Sequence, residues 1–310
     1  MKKVWVLFGL LLSLMIPAAA QDSAYSRKED VIYGRKFGTA LTMDVFTPKA
    51  NPNGAGIVFC VSGGWFSSHD NINPGFTAEF IKRGYTVFAV VHGSQPKFTI
   101  PEVLQDMHRA LRFIRFRAKE YGVDPDRIGI AGGSAGGHLS LMQGTAGAVG
   151  DEKARDPIDR VSSRVQAVAC FFPPTDFLNY GESGRGAVAI ADTWKDSTLK
   201  DFRAPFDFTE WSTSEKIFVK ITDEKRIQDI ARQISPIYHI TKETPPTLIV
   251  HGDADKLVPI QQAQSFIDKL KATGVPAELV VKKGAGHGWP TLTQDISVLA
   301  DWFDKYLKKI

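Results

Sequence analysis

Apolar residues in this chain fall into two kinds of run that alternate. One kind is short and nearly continuous: "GIVFC", "TVFAVV", "RIGIA", "VQAVACFF", "TLIV" and "ELVV", each followed within a few residues by glycine or proline. Such runs read as strands buried on both faces. The other kind is longer, with apolar residues at helical spacing. After Pro101, Val103, Leu104, Met107, Leu111 and Ile114 recur on one face until Gly122 stops the run. Ile260, Ala263, Ile267 and Leu270 make a second stripe, closed by Gly274, and Ile296, Leu299, Phe303 and Leu307 make the last. "FTAEFIKRG" predicts a shorter helix closed by Gly84, and "GHLSLMQG" is compatible with another. "KFGTALTMDVFTP" alternates and ends at Pro48, as an early antiparallel strand would. Strand and helix in alternation predict an α/β fold whose mostly parallel sheet is covered by helices on both faces.

Two stretches break the rhythm. Residues 177–235 are polar and aromatic by turns ("DFRAPFDFTEW"), with a helical piece, "DEKRIQDIARQI". They are expected to form a small cap insertion over the carboxyl edge of the sheet, too short for an independent domain. Trp194, Phe206, Phe208 and Trp211 are expected mostly to make the cap's own small core, with an aromatic pocket as their other use. At the start of the chain, Lys2 and Lys3 precede an apolar run over 4–16, then Pro17 and three alanines. That is the pattern of a secretory signal peptide over residues 1–20, short of the ~20 apolar residues of a membrane span. The expectation is a single domain over 21–310, secreted or periplasmic, with no stable membrane anchor after cleavage.

Composition changes this picture little. With 43% apolar and 23% charged residues the chain is no candidate for disorder. The net charge of +4 becomes about +2 without Lys2 and Lys3. There is no arginine-rich stripe with interleaved aromatics, so nucleic acid is not expected as a partner. The densest basic stretch, residues 109–119, reads as a solvated helix face. No H-E-x-x-H, C-x-x-C or phosphate-loop motif occurs, so neither a metal nor an organic cofactor is expected. The two cysteines, Cys60 and Cys170, both sit in strand-like runs and read as buried thiols.

The chemistry is concentrated in "GIAGGSAGGHLS", Gly129 to Ser140. Gly132-Gly133-Ser134-Ala135-Gly136 matches G-x-S-x-G, with a strand before it and a helix after. A serine on so sharp a turn needs small neighbours, and the helix start supplies free N–H groups and positive potential. A serine hydroxyl also needs a base. Of the seven histidines, His287 in "GAGHGW" is the one in a glycine-flanked loop after the last strand, at the edge where the serine emerges. Asp253 and Asp255 both follow "TLIVHG"; Asp255, further round the loop, is the preferred partner to orient the imidazole, with Asp253 left as a turn residue or cap. Oxyanion donors are expected from the backbone of Ala135, next to the nucleophile, and of Gly63 and Gly64, after "GIVFC".

With these blocks in view, "DPDRIGIAGGSAGGHL", "PPTLIVHGDADKLVPIQQ" and "GAGHGW", the chain resembles α/β-hydrolase serine esterases over nearly its whole length. It is most similar to the carboxylesterases grouped with bifunctional feruloyl and acetyl xylan esterases, near the hormone-sensitive-lipase-like families. The resemblance implies Ser134 as nucleophile, Asp255 as acid and His287 as base. It implies hydrolysis of carboxylic esters through an acyl-enzyme, on a small-molecule or carbohydrate ester, with acetyl or feruloyl groups of plant polysaccharide as candidates. The family's H-G-G-G motif is altered: Ser62 stands for the histidine and Trp65 for the third glycine, which would narrow the acyl side of the pocket. The implied strand order also puts the nucleophile strand between those of Cys60 and Cys170, too far apart for a disulfide.

Two other readings stay open. The stretch from His251 to Pro259 also fits H-G-x-x-D-x-x-V-P of prolyl-oligopeptidase-like peptidases, which usually carry a large propeller. The other is a non-catalytic binding protein on the same fold.

Overall fold

The computed structural model describes residues 24–186 and 203–308. The leader expected over residues 1–20, and Trp194, lie outside them.

Eight strands form one sheet. β1 (Tyr25–Lys36) and β2 (Thr39–Pro48) are antiparallel; β3 (Gly56–Val61), β4 (Thr86–Val91), β5 (Ile128–Gly133), β6 (Ala167–Phe171), β9 (Thr247–Gly252) and β10 (Ala277–Lys282) are parallel, in the order β1-β2-β4-β3-β5-β6-β9-β10. The helices are α1 (Ala78–Lys82), α2 (Ile100–Phe116), α3 (Ala135–Ala146), α4 (Glu224–Gln233), α5 (Gln261–Ala272) and α6 (Ile296–Leu307).

The short apolar runs become central strands because both faces are covered. Along β3, Val58 and Cys60 enter the core under α2, α3 and α5, while Ile57 and Val61 enter the one under α1 and α6. The helix stripes dock as their spacing predicts: Val103, Met107, Leu111 and Ile114 are buried on one face of the sheet, Ile296, Leu299, Phe303 and Leu307 on the other. Thr99 and Glu102 close a capping box at the start of α2. A Cβ at Gly129 would lie 2.7 Å from the Phe303 ring, so glycine lets α6 seat on β5.

β1 was not expected from the sequence. It is an edge strand whose side chains mostly face solvent, and register shifts between Lys28 and Val31 and between Ile32 and Gly34 interrupt its alternation. Cys60 and Cys170 are free and buried on β3 and β6, with β5 between them, as expected.

The insertion leaves the sheet after β6 and returns before β9. Its described part holds a hairpin, β7 (Thr209–Ser212) with β8 (Ile217–Lys220), and then α4. Its core is not its own, contrary to expectation. Phe206 and Phe208 are buried in the same cluster as α2 and α3, and Phe206 meets Trp65 at 5.3 Å between ring centroids. Trp211 is 54% exposed and belongs to no core.

Candidate active site

The turn between β5 and α3 carries Ser134 at φ 53°, ψ −119°, a conformation that side chains rarely adopt. Its neighbours must be glycines for space. A Cβ at Gly132 would lie 2.5 Å from the Gly136 backbone, one at Gly136 would lie 2.7 Å from the Cys60 carbonyl, and one at Gly137 would lie 2.9 Å from that of Phe171. Helix α3 therefore starts hard against β3 and β6. The Ser134 N–H donates to the Phe171 carbonyl at 3.0 Å, which fixes the turn to the next strand.

Ser134 Oγ lies 2.9 Å from His287 Nε2, and His287 Nδ1 lies 2.7 Å from Asp255 Oδ2. A carboxylate accepts, so Nδ1 carries the proton and Nε2 is left to accept from the serine. The Asp255 loop is tightly determined: Oδ1 accepts from the Leu257 and Val258 N–H groups, each at 2.9 Å. His251 Nε2 lies 3.4 Å from Oδ2 and donates to the Val258 carbonyl at 2.9 Å. Burial pushes the Asp255 carboxyl up, but the hydrogen bonds from His251, His287 and Val258 outweigh it and hold the group well below the usual carboxylate range. Asp253 has a different use. It is exposed, and its Oδ1 accepts from the Gly284 N–H at 2.6 Å, tying the acid loop to the histidine loop.

The His287 ring rests on Phe172, with centroids 4.5 Å apart. Phe172, just beyond β6 at φ 35°, was not singled out in the sequence; its one signal there is its place in "CFFPP". Trp289 packs against Phe171 and Phe172 and donates from Nε1 to Asp295 at 2.6 Å, which anchors the histidine loop from its far side.

The residues after β3 form a tight turn. Gly63 N–H donates to the Phe66 carbonyl at 3.0 Å, Phe66 N–H donates back at 2.9 Å, and Gly64 and Trp65 both have positive φ, the pattern of a type I′ turn. This corrects one expectation. Gly63 commits its N–H inside the turn, so Gly64 and Ala135 remain as the oxyanion donors to consider. Ala135 is the first residue of α3, where an N–H has no intrahelical partner. Trp65 corrects another: at φ 59° its side chain turns into the core rather than narrowing the pocket. Its Nε1 donates to His138 Nδ1 at 3.2 Å, and His138 Nε2 donates to the Ile234 carbonyl at 2.7 Å. Burial lowers the His138 imidazole to about 4, so it is neutral there. Phe66 lines the pocket instead.

Ser134, His287, Gly63 and Gly64 open into one cavity of about 480 Å³. Its far wall is aromatic and aliphatic, with Phe59 and Phe76 stacked at 5.8 Å and Leu292 beside them; Ser62 and Asn71 add polar groups. Such a cavity suits an apolar acyl or alcohol group beside the serine. The one group of metal-type donors among the described residues is Glu29, Asp44 and His69, whose donor atoms lie within 4.8 Å of one another. Arg27 Nε already donates to Asp44 Oδ2 at 2.7 Å, so a guanidinium occupies that carboxylate.

Comparison with known proteins finds esterases and ester hydrolases. The probable carboxylic ester hydrolase LipM of Mycobacterium tuberculosis is 29% identical over 251 residues, 80% of this chain and 52% of that protein. Esterase LipC of the same organism is 25% identical, over 88% of this chain and 62% of its own length. The chain thus spans roughly half to three-fifths of these curated relatives. Among solved structures, a truncated carbohydrate esterase from gut microbiota superposes with a TM-score of 0.70 at 25% identity, covering 92% of this chain and 97% of that one. An acetyl ester-xyloside bifunctional hydrolase from Caldicellulosiruptor lactoaceticus gives 0.66 at 22% identity, over 89% and 93%. These neighbours share the α/β-hydrolase fold described above. The family model BD-FAE matches residues 43–270, most of the described sheet, and the chain belongs to that family.

Proposed function

We propose that the protein is an exported serine carboxylesterase that works through an acyl-enzyme on Ser134, with acylated plant polysaccharide or fragments of it as substrate. The observation that carries the reading is the unbroken chain from Ser134 through His287 to Asp255, at 2.9 and 2.7 Å, opening into an apolar cavity.

In this mechanism Ser134 Oγ attacks the ester carbonyl as its proton passes to His287 Nε2. Asp255, held as a carboxylate, keeps Nδ1–H in place and stabilises the imidazolium. The Gly64 and Ala135 N–H groups receive the oxyanion. His287 then protonates the leaving alcohol. Water then attacks the acyl carbon as its proton passes to the same nitrogen, and the acid leaves as Ser134 Oγ takes that proton back. The named activities of the relatives and solved neighbours, ester hydrolysis and carbohydrate esters, support this substrate class.

The test is acid release by the purified protein from acetylated and feruloylated xylan, beside the Ser134→Ala variant. Release that depends on Ser134 supports both mechanism and substrate class. Cleavage of a small activated acetate without release from xylan keeps the esterase and discards the polysaccharide. Failure on both discards the reading.

A further inference from the structure

The turn that offers Gly64 is held from a neighbouring strand. Ser62, just before the turn, has its Oγ 2.8 Å from His92 Nε2. His92 Nδ1 lies 2.8 Å from the Gly93 carbonyl. A carbonyl only accepts, so Nδ1 carries the proton, Nε2 is an acceptor, and the Ser62 hydroxyl donates to it. His92 is 3% exposed at the exit of β4, and burial lowers its imidazole to about 4, which keeps it neutral in this role.

The same segment grips the other flank of the turn. The His92 N–H donates to Ser67 Oγ at 3.2 Å, and Ser67 Oγ donates to the Val61 carbonyl at 2.5 Å. Ser67 N–H donates to Ser94 Oγ at 3.0 Å, and Gln95 N–H donates to the Trp65 carbonyl at 3.3 Å. The segment is anchored in turn. Gly93 N–H donates to Asp106 Oδ2 at 2.8 Å, and Lys36 Nζ meets the same oxygen at 2.6 Å. A Cβ at Gly93 would fall 2.8–2.9 Å from Lys36, Phe98 and Asp106, so the backbone can approach Asp106 only as glycine.

We propose that Ser62 and His92 are positioning residues for the reaction, their hydrogen bond fixing the direction in which the turn presents its oxyanion donor. The turn has no helix or strand to aim its N–H groups; its flanks aim them. Oxyanion stabilisation depends on where its donors sit, so loosening a flank costs rate without removing any of the oxyanion donors or the triad. The inference rests on the serine-esterase reading.

Three variants separate it from a merely structural role. Ser62→Ala deletes the donor, His92→Leu deletes the acceptor, and His92→Gln returns an amide oxygen near the place of Nε2. Each is read with a small activated acetate, and with a trifluoromethyl ketone, which adds to a serine nucleophile and leaves an oxyanion. Ser62→Ala and His92→Leu are expected to lower kcat about tenfold or more, with KM within about twofold, and to weaken the ketone by a matching factor. The double variant should lose no more than the more damaging single, because both cut one bond. His92→Gln should restore most of the rate. Unchanged kcat and ketone affinity in Ser62→Ala, with only a lower thermal midpoint, overturn the proposal. A wild-type protein without Ser134-dependent turnover fails the esterase reading instead. The bond is then read directly from the ¹⁵N-histidine spectrum of the full chain. An Nε2 resonance of His92 that shifts in Ser62→Ala supports the brace, and one that ignores the change overturns it.

Discussion

Asp255→Asn is the substitution whose outcome the structure dictates most fully. The carboxylate serves two kinds of donor at once. Oδ1 accepts from the Leu257 and Val258 N–H groups, and Oδ2 accepts from His287 Nδ1. An amide has one oxygen. Two backbone donors at 2.9 Å can be satisfied only by oxygen, so the NH₂ group must take the place of Oδ2 and face His287. His287 Nδ1 then has to accept, which moves its proton to Nε2 and aims a donor at Ser134. The residue keeps its shape and loses its capacity as a base.

The magnitude follows from that inversion. The wrong tautomer is worth about 10⁴ in kcat in the serine-protease example of this arrangement. The KM is expected to stay within a few-fold, since Asp255 is buried beneath His287 and does not line the cavity. The fold should survive, because the volume is unchanged and the oxygen still closes the loop. The loss of the charge-assisted bond costs stability of about 1–3 kcal/mol. The assay is steady-state hydrolysis of a small activated acetate, with the unfolding midpoint in urea measured alongside. A variant that keeps more than a tenth of the wild-type kcat would falsify the assignment of Asp255. Loss of rate with a collapsed unfolding transition would instead send the argument to Asp255→Glu, which keeps the charge.

Four other outcomes follow from the same coordinates. His92, His108 and His138 are each lowered by burial from 6.5 to about 4, so the unfolded chain binds their protons first; stability should fall as pH drops from about 6.5 and level off below about 4, by about 3 kcal/mol per histidine, and His108→Gln should flatten that fall in urea titrations while leaving turnover unchanged. Gly136→Ala puts a methyl 2.7 Å from the Cys60 carbonyl and should destabilise by about 1–3 kcal/mol, with turnover lost as α3 shifts; unaltered stability and rate would refute the packing argument. Phe172→Ala removes the shelf under His287 and should lower kcat roughly ten- to a hundredfold, with a smaller effect on Ser134 labelling by a fluorophosphonate; equal rates for variant and wild type would show the ring is only a wall. Cys60 and Cys170 are buried and free, and burial pushes the Cys60 thiol up to about 12, so a thiol reagent should find neither in the native protein and both in denaturant, with no mass change on reduction.

What the sequence reveals, and what it hides, divides along the range of the interactions. Ser134 is legible because a strained turn between strand and helix forces small residues within three positions of the serine, and that constraint is written locally. His287 and Asp255 are legible because glycines and a strand end frame each loop. β1 is hidden because an edge strand need bury only one of its faces, and here little beyond Tyr33 is buried, so alternation never becomes a pattern. Phe206 and Phe208 read as a cap core because their own segment gives no sign of Trp65, whose ring comes from a distant part of the chain. Trp65 shows the limit most clearly. Read as a large residue in a glycine's place, it should crowd the pocket. A type I′ turn reverses that inference, since positive φ at Gly64 and Trp65 swings the indole into the core and leaves Phe66 facing the cavity. The Ser62–His92 bond is hidden for the same reason, because it joins two strand exits 30 residues apart, neither of which carries a repeat, a cap or a glycine pattern that names the other. Substitutions at such pairs are therefore the informative ones, since the local triad pattern would remain intact in a protein whose oxyanion turn had lost its aim.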